Sequence, residues 1–266
     1  MAKPIKNLLF VHDDNIQNKI STNYNGKKQE LISFYTEHYL PMRNQLLNIQ
    51  FSPSDIQSFN KAASIINRYF DTLWETSELY KIKSQSKFES TYYEEINCYM
   101  FHNLSQIESG IYSMFNKGIY AGLKIDNQNH ISVIKKDVDF CIGRKALVHF
   151  DNQDSIPLIL PIVAVEVKTY LDATMFGEIK SSSKAIRSAS PNSKAYVLMG
   201  FKDLADEHII AARQDSTLTE MFALRKNEHS EIDAHALREY YVEIRHAVSS
   251  VADTTLINTP GRLLFP

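Results

Sequence analysis

Asp139, Glu166 and Lys168 are the residues of this chain whose types and spacing can do chemistry. The run Pro157 to Val165 is apolar at nearly every position and stops abruptly at Glu166-Val167-Lys168. A strand buried on both faces reads as such a run, and alternation puts Glu166 and Lys168 on one side of it. Asp139-Phe140-Cys141-Ile142-Gly143 is a second element, an acid opening an otherwise apolar strand before a glycine. If the two strands lie side by side, two carboxylates and one ammonium converge at a sheet edge. Phosphodiester hydrolysis asks for that set. Hard divalent cations prefer carboxylate and carbonyl oxygens, so Asp139, Glu166 and the Val167 carbonyl suit one or two magnesium ions held against a phosphate. Lys168 would orient or deprotonate the attacking water and stabilise charge in the transition state.

A Glu-x-Lys tripeptide alone is more often a solvated pair on one strand face. The chemical reading comes from joining it to the apolar strand and to the aspartate element. Asp137 shares a face with Asp139 and competes as the ligand; Asp139 is preferred because it lies closer to Gly143, where the strand edge opens. Val163 to Lys168 faintly resembles the lysine strand of protein kinases, but no glycine-rich loop precedes it and no HRD or DFG follows. The nine histidines include no HxxxH pair, and His12, His38, His102, His130 and His149 read as surface or capping residues. Cys98 and Cys141, the two cysteines, have no zinc spacing and read as inert core thiols.

The elements that must position these groups follow from the hydrophobic period. Residues Ile5 to Asn25 read as a polar arm. Gln29 to Gln50 predicts a helix pair broken at Pro41, and Ser52 to Asp55 a capped start for a strong amphipathic helix through Leu73. After a lysine-bearing linker at Lys81 to Lys87, Ser90 opens a helix with adjacent Glu94 and Glu95. From Gly118 the period changes to two. Tyr120–Ile125, His130–Ile134 and Asp137–Ile142 predict an antiparallel meander, with the buried strand's regular part at Ile162 to Lys168. A helix over Ala173–Ala189, strands at Ala195–Gly200 and Ile209–Ala212, and a closing helix over Glu231–Val248 complete the order. The expected class is α/β, with a mixed central sheet flanked by helices and a helical N-terminal region. The expected division is 1–87, arm and helical region, and 88–266, catalytic core with the C-terminal helix, packed as one unit.

With 44% hydrophobic and 23% charged residues the composition is that of an ordinary globular chain. The absence of a long apolar run argues against a membrane and for a cytoplasmic address. A net charge of -2 excludes a protein that merely coats nucleic acid, yet suits an enzyme whose metal-holding acids offset its phosphate-meeting lysines.

The stretch Lys136 to Gly143, followed by Leu160 to Asp172, resembles the BbvCI-like branch of type II restriction endonucleases. Ser90 to Ile96, Thr174-Met175, Ala189 to Pro191 and Gly261 to Pro266 resemble other parts of that branch, while the first third matches loosely. The resemblance implies a PD-(D/E)XK core that cleaves double-stranded DNA with Mg2+ and leaves 5'-phosphate ends. It maps the family's metal acid to Asp139, its second acid to Glu166, its lysine to Lys168 and an additional helix carboxylate to Glu94 or Glu95, with Glu94 favoured. Val138 stands where the superfamily's proline would be. It also implies a dimer, formed with a related second subunit or with a copy of the chain. A nuclease of repair or mobile elements and a catalytically idle DNA-binding partner are the competing classes. Bases would be read outside the catalytic set, the candidates being Asn18, Lys19, Asn23, Asn25, Lys27 and Lys28, and Arg213, Gln214, Arg225 and Lys226.

Overall fold

A computed structural model describes residues 8–83, 87–150, 154–215 and 217–250. Its organising element is strand β5 (Ile156–Leu171), the apolar run that the sequence singles out. Antiparallel β4 (Phe140–Val148) flanks it on one side and carries β1 (Ser113–Phe115) on its outer edge; parallel β6 (Lys194–Lys202) and β7 (Glu220–Ala223) follow on the other, giving the order β1-β4-β5-β6-β7. The sheet is mixed and flanked by helices, as expected.

On one face, Phe140, Ile142, Val163, Val165, Val167, Tyr196 and Leu198 join a large core with helices α4 (Ile56–Leu79), α5 (Ser90–Phe101) and α9 (Ala234–Ser250). The N-terminal helices contribute Ile16, Leu31, Phe34 and Tyr39 to the same cluster. On the other face, α7 (Ala173–Ala189) buries Phe176, Ile179 and Ile186 against Ala164, Val197 and Met199. Asp55 and Asp172 cap α4 and α7 by accepting backbone N–H bonds from Gln57 and Met175.

Several elements differ from the sequence reading, each for a physical reason. The supposed arm contains helix α1 (Val11–Ser21), whose buried His12, Ile16 and Lys19 dock it on the core. Pro41 breaks nothing: α2 (Lys28–Phe34) runs into a π-turn (Tyr35–Tyr39) and on into α3 (Leu40–Leu47). The wider i→i+5 turn, closed by Leu40 N–H on the Tyr35 carbonyl, sits just before the proline whose missing N–H would interrupt an ordinary ladder. The meander is divided, because β2 (Ile119–Ile125) and β3 (Ile131–Lys136) form a separate hairpin while β1 takes the edge of β4. Residues 209–212 belong to helix α8 (Asp206–Gln214), with Asp206 and Glu207 in its first turn and Arg213 in its last, as the helix dipole favours.

Strand β5 keeps both prolines, Pro157 and Pro161, instead of starting after them. A residue's nitrogen and carbonyl point to the same strand edge, and the Pro161 carbonyl accepts a bond from Ser193 Oγ at 2.7 Å, on the β6 side. Its donorless nitrogen therefore faces away from β4, whose ladder continues through Gly143–Pro161 and Leu147–Pro157. Gly143 is needed there, since a Cβ would lie 2.4 Å from the Leu160 carbonyl oxygen. No helix among the described residues is long and apolar enough to cross a membrane. The Gly261 to Pro266 ending lies outside the described residues.

Candidate active site

β4 pairs with β5 up to Phe140–Val165, so one residue further Asp139 comes opposite Glu166 just where the β4 ladder ends. There Val167 N–H has lost its strand partner. The Asp139 carboxylate takes it, accepting at Oδ2 over 2.8 Å. The same oxygen accepts from Lys168 Nζ at 3.1 Å, and that ammonium also donates to Glu166 Oε2 at 3.4 Å. The three side chains of the expected triad thus meet at one sheet edge, partly buried. Burial pushes the Glu166 carboxyl up to about 7, and the nearby Asp139 charge adds to this against the pull of Lys168. Burial alone would lower the Lys168 ammonium, but Asp139 and Glu166 outweigh it and hold the lysine above its ordinary value.

The two glutamates on α5 have separate fates. Glu95 is fully buried and accepts from His12 N–H (2.7 Å), Asp13 N–H (3.1 Å), Tyr39 OH (2.8 Å) and Tyr99 OH. It serves as the missing cap for the first turn of α1. Glu94 is partly buried and is raised to about 7, first by burial and then by the Asp139 charge, while Lys87, Lys168 and Lys117 pull it down. Asp137 is exposed and engaged elsewhere, its Oδ1 accepting from Gly118 N–H at 2.9 Å.

The groups here that could ligate a metal, Asp139, Glu166 and the Val167 carbonyl, offer oxygen. Among the described residues no three His, Cys, Asp or Glu side chains form a ready-made metal cluster. Two carboxylates plus the Val167 carbonyl are nonetheless the kind of sparse oxygen set that magnesium uses, with its remaining positions left to water and phosphate. Burial and the Asp139 charge, which together raise Glu166, are what a divalent cation would offset. The residues fit the ion.

Some residues assigned by sequence to other roles are structural. His12, expected at the surface, is wholly buried, its ring bonded to Thr91 Oγ1 (3.0 Å) and Tyr69 OH (2.8 Å). Burial and the Lys19 charge lower it to about 3, so it is neutral. His102 is also buried, with Nδ1 against the Tyr99 carbonyl oxygen. Of the candidate base readers, Lys19 is buried over the Tyr24 and Phe88 rings, Arg225 is buried against Phe70, Tyr93 and Phe201, and Asn25 donates to the Tyr80 and Lys81 carbonyls. Lys19 and Arg225 are thus enclosed in the fold. Cys98 and Cys141 are buried, and burial raises both thiols, Cys98 to about 12.

The profile of the Bpu10I restriction endonuclease family matches residues 85–252, which hold every strand and each residue of this site. The chain belongs to that family. It is therefore a restriction endonuclease, or a subunit of one, and its activity is that of a type II site-specific deoxyribonuclease. Among solved structures, the fold is similar to that described as native BbvCI A2B2 tetramer at low resolution. The TM-score is 0.75 at 15% identity, over 92% of this chain and 98% of that one. Comparison with curated proteins finds no match. Membership of the Bpu10I family selects the restriction enzyme from the three classes that the sequence left open. The BbvCI likeness extends the shared fold to the helices before residue 85.

Proposed function

We propose that Asp139, Glu166 and Lys168 form the catalytic centre of this restriction endonuclease, that Glu94 completes it, and that it works with Mg2+ on double-stranded DNA. The observation that carries this reading is the single ammonium, Lys168 Nζ, within 3.1 and 3.4 Å of two carboxylates where the β4 ladder beside β5 ends. Asp139, Glu166 and the Val167 carbonyl would hold the metal, which when bound supplies positive charge against the phosphate oxygens. Lys168 keeps its proton on Nζ near neutral pH, so it orients water and offsets the charge gathering on the phosphoryl oxygens. Asp139 ties the centre to the sheet through Val167 N–H. Glu94, with a carboxyl near 7, is suited to accept or return a proton close to neutrality.

One such centre engages one scissile phosphate, so a double-strand break needs two centres or two successive events. We infer that the chain acts as one half of a dimer, a related second subunit being favoured over a copy of itself. The similar structure is described as an A2B2 assembly. The test incubates the purified chain with supercoiled plasmid and magnesium, following nicked and linear forms while its mass in solution is measured. Nicking by the chain alone, with linearisation on adding a related subunit, is the expected result. Efficient linearisation by a homodimer would remove the need for a different partner, and linearisation by a persistent monomer would overturn the dimer.

A further inference from the structure

The proposed centre gathers three carboxylates, Asp139, Glu166 and Glu94, and its one lysine is already shared between two of them. A polyanion approaching such a site needs other cations. Lys87 and Lys117 are both exposed, and neither forms an ion pair among the described residues.

Their backbones take an uncommon conformation, which Lys81 shares, and hydrogen bonds hold each of the two in place. Lys117 has φ +66° and Lys87 φ +58°, the left-handed region that side chains other than glycine, asparagine and aspartate seldom occupy. Such conformations persist when surrounding bonds over-determine them, and they cluster where ligands are held. Lys117 N–H donates to the Val138 carbonyl at 2.8 Å, and the next residue, Gly118, donates to Asp137 Oδ1 at 2.9 Å. The base of the Lys117 side chain is thus pinned to the peptide that leads into Asp139. The Lys87 carbonyl accepts from Thr91 N–H (3.1 Å) and Thr91 Oγ1 (2.8 Å), which locks it to the first turn of α5. Glu94 lies in the second turn of that same helix.

We propose that Lys87 and Lys117 form a clamp that grips backbone phosphates of the DNA next to the one that is cut. The clamp rests on the catalytic reading above and adds two positioning residues to it. Both are invisible as a pair in the sequence, 30 positions apart; the fold ties one to the start of the Glu94 helix and the other to the peptide beside Asp139. The charges of both lower the Glu94 carboxyl against the effect of burial, in keeping with that placement. Phosphate contacts carry no sequence information, so the clamp strengthens binding and sets the register of the duplex without choosing bases.

The test compares Lys87→Gln, Lys117→Gln and the double variant of the full chain with wild type. Binding to a labelled duplex of about 30 base pairs is measured in calcium across roughly 0.05–0.3 M salt. Each lost phosphate contact lowers the slope of log K against log salt by about 0.9, or about eightfold in affinity near 0.1 M salt when the curves meet at 1 M. Lys61→Gln, an exposed lysine on α4, removes the same charge and is expected to keep the slope. In parallel, lysine acetylation read by mass spectrometry is expected to spare Lys87 and Lys117 when DNA is present. Wild-type slopes in both variants, an equal fall in Lys61→Gln, or labelling of both lysines unaffected by DNA would each overturn the clamp. Asp139→Asn run alongside separates the two ideas. Cleavage surviving there sinks the catalytic reading, whereas cleavage lost there with unchanged lysine slopes sinks only the clamp.

Discussion

Glu94 and Glu95 are chemically identical neighbours, and their replacement is expected to have opposite consequences. In Glu95→Ala the N–H groups of His12 and Asp13 and the hydroxyls of Tyr39 and Tyr99 lose their common acceptor in a fully buried site. Each buried donor left without a partner costs about 1–3 kcal/mol. Partial relaxation brings the sum to roughly 4 kcal/mol, near the range seen when one member of a buried charged network is removed. At about 2–4 °C per kcal/mol for a chain of this size, Tm falls by about 8–16 °C. Glu94→Gln should do the reverse. The Glu94 carboxyl is raised to about 7 in the folded chain, so folding favours its protonated form. Stability from that preference is complete below the unfolded value near 4.5 and is lost as pH rises through 7. At pH 8 the buried charge therefore costs the native state about 3 kcal/mol, at about 1.4 kcal/mol per pH unit, which a neutral glutamine relieves. Thermal melts in EDTA at pH 8 are expected to show Glu95→Ala well below wild type and Glu94→Gln at or above it, while only Glu94→Gln keeps its fold and loses cleavage. A Glu95→Ala melt equal to wild type, or a Glu94→Gln melt as depressed as that of Glu95→Ala, would refute the division of labour.

Asp139→Asn, Glu166→Gln and Lys168→Ala are each expected to slow cleavage by about a hundred- to a thousandfold or more, with DNA binding in calcium retained; retained magnesium-dependent cutting removes that residue from the site. Asp137→Asn weakens only the bond to Gly118 and should stay within about tenfold of wild type in plasmid assays; a loss as large as that of Asp139→Asn would exchange the roles of the two acids. Gly200→Ala forces a Cβ to within 2.3 Å of the Thr169 carbonyl oxygen and 2.9 Å of Tyr93 OH, so urea unfolding should show a loss of about 2 kcal/mol or more. Cys98→Ser and Cys141→Ser should keep cleavage, and a thiol reagent that stops folded wild type but spares the double variant would contradict their inert placement.

The meeting of Asp139, Glu166 and Lys168 was legible because burial and charge conflict in one place: an apolar run interrupted by Glu166-Val167-Lys168 cannot be explained by packing alone. Helices α4, α5, α7 and α9 were legible from their period and breaks. Other features depend on long-range pairing that no local pattern carries. β1 is three residues long and β7 four, and their assignment follows from edges offered by β4 and β6. His12 looked like a surface histidine because its partners Tyr69 and Thr91 lie 57 and 79 residues away. Arg225 looked like a base reader because nothing near it in sequence announces the three rings that bury it. The choice between Glu94 and Glu95 turned on α1, which the polar start of the chain concealed.

The prolines of β5 bear on how this protein can meet its partners. A sheet margin with regularly spaced donors is a template on which another polypeptide can crystallise as an extra strand. Over residues 156–161 β5 is paired with β4 alone, and of the amides at 157, 159 and 161 that alternate toward the other margin, two belong to proline. That margin is a zip with most of its teeth filed off. A second polypeptide finds few donors there on which to extend the sheet, and an unfolded neighbour finds little to seed on.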